Sequence, residues 1–169
     1  MKKKIFVSAQ LFLIAVFAVA CSYSFTGASV PPHIKTIFIR SFDDKSHSAE
    51  GNIGETLTNL ILENFITDNS LTVTDSRKAD SELGGAIISL KDRTQTITNE
   101  NISQRKVTIK VKAVYRDNVK KKKVFQKVFS AFATYDNNAD DVSQARADAI
   151  AEALKQIADD ILMAVVANW

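Results

Sequence analysis

Two sets of residues in this sequence could do chemistry: a single cysteine and a row of evenly spaced cations. Cys21 is the only cysteine in the chain. Ahead of it come Lys2, Lys3 and Lys4, then an apolar stretch from Ile5 to Ala20 broken only by Ser8 and Gln10. The small residues Ala18-Val19-Ala20 lead directly into the cysteine. A positive flank, a short apolar run and small residues before a cut are the layout of a secretory signal. The apolar run of about 16 residues falls short of the roughly 20 that a membrane-spanning helix needs. A cysteine at the cut has the form of a lipobox, in which the thiol is acylated and becomes the first residue of the mature chain. Lipoboxes usually carry Leu three positions before the cysteine, and here that position is Ala18. The alternative is an ordinary signal with an incidental cysteine. A lone thiol is a liability in an oxidising compartment, and a single cysteine cannot form an intramolecular disulfide. Lipidation at Cys21 accounts for that count.

The cations lie at Lys106, Lys110, Lys112 and Arg116. Between them Val107, Ile109, Val111, Ala113 and Tyr115 recur at every second position, the period of a half-buried strand. If those apolar residues pack under helices, the four cations line the open face of a sheet. Lys and Arg pair with phosphates as charge-assisted donors, so such a face could seat a polyanion. The same residues also read as a solvated face whose charges blunt an edge strand. The surrounding charge favours clustering: residues 91–127 carry a local excess of +9, against −4 for residues 21–90 and −5 for residues 128–169. Removing residues 1–20 removes the three excess positive charges, so the mature chain is formally neutral. The overall basicity is therefore no sign of a nucleic-acid partner.

Other candidates for chemistry are weak. His33 and His47 do not sit at metal-ligand spacing with a second His or Cys. Asp43-Asp44 could be a carboxylate pair, but adjacent turn residues point apart. Gly84-Gly85 is followed by no helix start and is not a phosphate loop. Nucleophile motifs and dinucleotide fingerprints are missing from the sequence. A non-enzymatic protein is expected, with no metal and no cofactor beyond the covalent lipid on Cys21.

The elements that must position the cations can be read in order. Residues 21–33 form a lipidated tether, with Pro31-Pro32 favouring an extended path into the fold. Ile34 to Phe42 reads as a first strand and Asp43 to Ser48 as a polar turn. Residues 50–67 switch to helical spacing, with Ile53, Leu57, Leu60, Ile61 and Phe65 on one side. Leu71 to Thr74 is a short strand. Ala79 to Thr98 is a longer one, its Gly84-Gly85 marking a bulge or a close backbone approach, and residues 99–101 turn the chain back. After the strand at 105–116 and the turn at Lys120–Lys123, residues 124–132 form a strand apolar on both faces. Phe125, Phe129 and Ala131 lie on one face, and Val124, Val128 and Phe132 on the other. A final helix runs to about Val166, capped by Asp140 or Asn138. The order β-α-β-β-β-β-α predicts an α+β two-layer sandwich, with two helices on one face of a mostly antiparallel sheet. The domain plan is a signal over 1–20, the tether over 21–33 and a single domain over 34–169. A mature chain of 149 residues is long enough to bury its own core.

The stretch Cys21-SYSFTGASVPPHIKTIFIRSF, the strand RKVTIKVKAVYRD and the closing Ala164-VVANW resemble the LptE family of outer-membrane lipoproteins. The similarity is greatest to its Bacteroidetes/Chlorobi-type members and spans the mature chain. It implies a role in lipopolysaccharide export, as a plug inside the large β-barrel LptD. It also implies a two-layer fold and lipopolysaccharide binding through basic residues of the sheet. Lys106, Lys110, Lys112 and Arg116 are assigned to that role by alternation, not by position-to-position matching. Ser22 stands where an inner-membrane retention signal would carry Asp, so the expected location is the periplasmic side of the outer membrane, held by the lipid. The first half, from strand 34–42 through the helix to Ala79-Asp80 and Leu83-Gly84-Gly85, also resembles the small periplasmic domain of TolB-like and LpoB-like proteins. That alternative implies a regulator or docking module.

Overall fold

Alternation at 105–116 becomes the spine of the fold. In the computed structural model, which describes residues 30–96 and 103–167, this segment is strand β5 (Ser103–Asp117). Val107, Ile109, Val111, Ala113 and Tyr115 are fully buried, and the residues between them face outward. On one side β5 pairs antiparallel with β4 (Ser81–Thr96), and on the other with β6 (Lys122–Asp136). Two parallel ladders extend the sheet past β4, through β1 (Thr36–Ile39) to β3 (Thr72–Val73). The resulting order is β3-β1-β4-β5-β6, with β2 (Asp43–Asp44) also pairing with β4. Six strands and two helices make the expected α+β architecture, with one more strand than the sequence suggested.

The extra strand arises because the first one breaks. Ile37 and Ile39 point into the core, but the next buried residue is Phe42, one position out of alternation. The Phe42 amide donates to the Thr58 hydroxyl (2.9 Å) of helix α1 (Ile53–Asp68) instead of continuing a ladder. Pairing resumes at Asp43, where a polar turn was expected. In α1 the stripe Ile53, Leu57, Ile61 and Phe65 is buried and Leu60 is partly buried, as helical spacing requires. Helix α2 (Val142–Val166) buries Ala149, Ile150, Ala153, Ile157, Ile161 and Val165. Its cap is Asp141, not Asp140 or Asn138. Asp141 has an extended backbone, and its carboxylate accepts from the Gln144 amide at 2.9 Å. Both helices and the inner face of the sheet share one core cluster, so both pack on the same face.

The bulge in β4 also differs from expectation. It lies between Ile87 and Ser89, and Gly84-Gly85 lie in regular register. Those glycines mark the close approach: a Cβ on Gly85 would lie 2.2 Å from the Lys112 carbonyl oxygen and 2.7 Å from the Phe42 ring. Cys21, the tether up to residue 29, the turn at 99–101 and Asn168-Trp169 lie outside the described residues. Among the described residues, no helix is long and apolar enough to cross a membrane.

Candidate functional site on the open sheet face

The structure brings Lys106, Lys110, Lys112 and Arg116 together on one face of β5, opposite the core. Lys110, Lys112 and Arg116 are exposed and Lys106 is half-buried. Ten residues of strand separate the first from the last, a row roughly 33 Å long. Among the described residues none of the four forms an ion pair, whereas Arg40, Arg105 and Arg146 all do. More cations flank the row. Arg93 lies across from Lys106, and Lys123 across from Arg116. Arg93 and Lys106 place like charges directly opposite one another at a cost in stability, whereas Arg116 has Glu82 opposite it on the β4 side.

The face is also apolar along its β6 side. Val128, opposite Lys112, and Phe132, opposite Thr108, are 54% and 55% exposed. The Lys106 ammonium sits 3.6 Å from the centre of the Phe132 ring, a cation–π contact that lays its aliphatic stem along the surface. The two-faced apolar character expected of residues 124–132 is therefore real: Phe125 and Ala131 are buried, and Val128 and Phe132 are not. At the other side of the row, a groove of about 650 Å³ opens over Gly84 and Gly85, with Arg40, Arg77, Arg116 and Glu82 in its walls. Glu82 accepts from Arg40 at 3.0 Å. An outer face with a cationic middle and an apolar flank suits an amphiphile that carries anionic groups near acyl chains.

A model of the family described as "LptE: Lipopolysaccharide-assembly" matches residues 34–165. The chain belongs to the LptE family. Its role in general terms is therefore lipopolysaccharide assembly. Solved structures with low sequence identity share the fold. A hypothetical protein from Chlamydia trachomatis superposes with a TM-score of 0.58 at 11% identity, covering 80% of this chain and 99% of that one. A minor lipoprotein from Acinetobacter baumannii gives 0.54 at 15% identity, covering 81% and 95%. The rare lipoprotein B from Shewanella oneidensis gives 0.51 at 17% identity, covering 75% and 92%. No curated protein sequence matches the chain.

Within this LptE-family fold, sequence reasoning missed the cations that β4 adds to the face. The bulge after Ile87 flips the alternation, turning Lys91 and Arg93 outward and Asp92 inward. No glycine or proline marks that position, so only the opposed parity of Leu83–Ile87 and Lys91–Arg93 could have revealed it. Asp92 then becomes the centre of a cluster at the inner end of the sheet. It accepts from Arg105 Nε (2.9 Å), Arg146 Nε (2.9 Å) and the Tyr135 hydroxyl (2.7 Å). Arg146 also pairs with Glu50, ahead of α1. Burial alone would raise the Asp92 carboxyl. Donation from Tyr135, Arg146 and Arg105 outweighs it and holds the group below the ordinary carboxylate range. A carboxylate occupied by three donors is tied into the fold and is a poor general base.

His33, which stands at no metal-ligand spacing with a second His or Cys, meets a carboxylate in the fold. Its Nε2 lies 2.7 Å from Asp117 Oδ2 at the end of β5, 84 residues away in the chain. Burial pushes the Asp117 carboxyl up, but the His33 ring and the Lys120 amide more than offset it and leave its pKa lowered. His47 is exposed, with a backbone φ of 57°.

Proposed function

We propose that the mature chain is a non-catalytic lipoprotein, held by an acylated Cys21 on the periplasmic side of the outer membrane. It assembles with and plugs an LptD-type β-barrel and presents its open sheet face to lipopolysaccharide on its way to the outer leaflet. The observation that carries this reading is the row Lys106, Lys110, Lys112 and Arg116, without an ion pair among the described residues, lying beside exposed Val128 and Phe132. Phosphates of the lipopolysaccharide core and head would take charge-assisted hydrogen bonds from the row. Val128 and Phe132 would meet acyl chains or the barrel wall. The docking-module alternative resembles only the first half of the chain, whereas the family match runs from residue 34 to 165.

Affinity purification of the tagged chain from membranes tests the plug role. A large β-barrel protein should co-purify in a fixed ratio, and recovery of soluble periplasmic partners without a barrel would sink the plug role. Cys21→Ala should release the chain from membranes wherever the barrel does not retain it, as fractionation would show.

A further inference from the structure

The sheet topology gathers several loop ends at the place where the tether joins the fold. β1 and β4 run parallel, with Ile37 opposite Ser81, and β4 and β5 antiparallel, with Ser81 opposite Asp117. The start of β1, the loop before β4 and the β5–β6 turn therefore lie at one end of the molecule. Hydrogen bonds knit them together. Asp80 accepts from the Lys35 and Thr36 amides at 2.9 and 3.0 Å. The Asn118 amide donates to the Asp80 carbonyl (2.8 Å), and its side chain to the Ala79 carbonyl (2.9 Å). Asp117 binds the Lys120 amide (2.8 Å) through one oxygen and His33, the last tether residue, through the other. The acids of this end are thus largely turned to amides and an imidazole, with Asp75 left exposed. Its cations are exposed instead: Lys35, Lys78 and all four lysines from Lys120 to Lys123. At the tip of the turn, next to those lysines, Val119 is 54% exposed.

We propose that this end is a membrane-contact surface, in which the lysine turn and its neighbours sit on the anionic phospholipid headgroups of the leaflet that holds the anchor. The inference rests on the reading of Cys21 as the lipidated residue. Two further observations select a lipid surface over open solvent. The tether from Cys21 to His33 spans at most about 40 Å and is fixed at His33, so an anchored chain holds this end within about 40 Å of its own membrane. A basic patch beside an anchored residue adds an attraction to anionic headgroups with each Lys or Arg, weakened as salt screens it. Val119 supplies an apolar side chain that can dip between headgroups while the lysine stems keep their ammonium groups at the phosphates. This surface adjoins the lipopolysaccharide-facing row only at Arg116, which Lys123 faces across the β5–β6 ladder, while Lys106, Lys110 and Lys112 lie farther along the strand.

The test uses the full processed chain, purified from membranes in detergent and placed in vesicles of phosphatidylcholine alone or with one-third phosphatidylglycerol. Lysines are acylated with a water-soluble amine reagent, and the labelled peptides are quantified by mass spectrometry. With phosphatidylglycerol at about 50 mM salt, labelling at Lys120–Lys123 should fall roughly threefold or more, and recover at about 500 mM salt. Lys110 and Lys112, on the open face, should label equally in both vesicles. Equal labelling of the turn in both vesicles, an equal loss at every lysine, or protection only when lipopolysaccharide is added would each overturn the proposal. The intact mass of the same preparation reads Cys21 independently. If the cysteine proves bare, the same labelling on the chain mixed with anionic vesicles still reads the turn, so the two failures stay distinct.

Discussion

Arg105 and Lys106 are neighbours in the chain and point to opposite faces of β5. Arg105 turns inward, donates to Asp92 and helps tie the sheet to Tyr135 and, through Arg146, to α2. Lys106 turns outward, faces Arg93 across the ladder and rests on the Phe132 ring. The inner cation is neutralised by Asp92, while the outer one adds to a row without ion pairs among the described residues. Below Arg105 the inner face continues as Val107, Ile109 and Val111, fully buried. Above Lys106 the outer face continues as Lys110 and Lys112, exposed and without an ion pair among the described residues. Stability and surface chemistry are thus carried by alternate residues of one strand. The two can be separated by substitutions one residue apart.

The largest expected effect is on the inner face. Ile109→Ala should cost about 2–5 kcal/mol, since it opens a cavity in a site with no exposed surface. Urea unfolding would check this, and a cost below about 1 kcal/mol would show that β5 does not carry the core. Next is Asp92→Ala, which strips the acceptor from two guanidinium groups and a phenol. Those guanidinium groups are about a third exposed, so solvent screening reduces the penalty to about 2 kcal/mol. Here pH gives a second handle through Asp92→Asn. The folded-state pKa of Asp92 is depressed, so its contribution is complete above the unfolded carboxylate value, about 3.9. It is lost as pH falls through the folded value. The stability gap between wild type and Asp92→Asn should therefore narrow as acid is added below about pH 4. A gap that stays constant through that range would mean the carboxylate is not what ties the cluster.

How much of this was legible in advance depends on how local each signal is. The β5 alternation and the α1 stripe were legible because a residue's neighbours two or four positions away fix its face. The two-layer arrangement and the placement of the four cations followed from those periods. The break at Phe42 was not legible, because it depends on the Thr58 hydroxyl sixteen residues on. The cap of α2 sits in a run where Asn138, Asp140 and Asp141 all carry a suitable oxygen, and only backbone geometry selects Asp141. The bulge after Ile87 is marked by no glycine or proline and had the widest consequence, since one slipped residue turned Asp92 inward and Lys91 and Arg93 outward. The His33–Asp117 contact is likewise a product of the tertiary fold, joining segments that share no local pattern.

The smallest expected effect on stability belongs to the outer face, and it is the sharpest test of the contrast. Lys110→Glu with Lys112→Glu alters two exposed side chains that make no ion pair among the described residues. Unfolding free energy should change by no more than about 0.5 kcal/mol, as for surface positions generally. Any change should be toward stabilisation, because the row repels itself. Lipopolysaccharide binding should behave oppositely and fall by about tenfold, since each reversal removes an attraction to a phosphate and adds a repulsion. That loss should be greatest at low salt and shrink as ionic strength rises, because both charges are exposed to screening. Binding assays at two salt concentrations, run beside urea unfolding of the same variant, read both halves at once. Normal stability with unchanged binding would reduce the row to a solvated face and move the search for the lipopolysaccharide contact to Val128 and Phe132. A fall in stability matching that of Asp92→Ala would instead mean that the two faces of β5 are not independent.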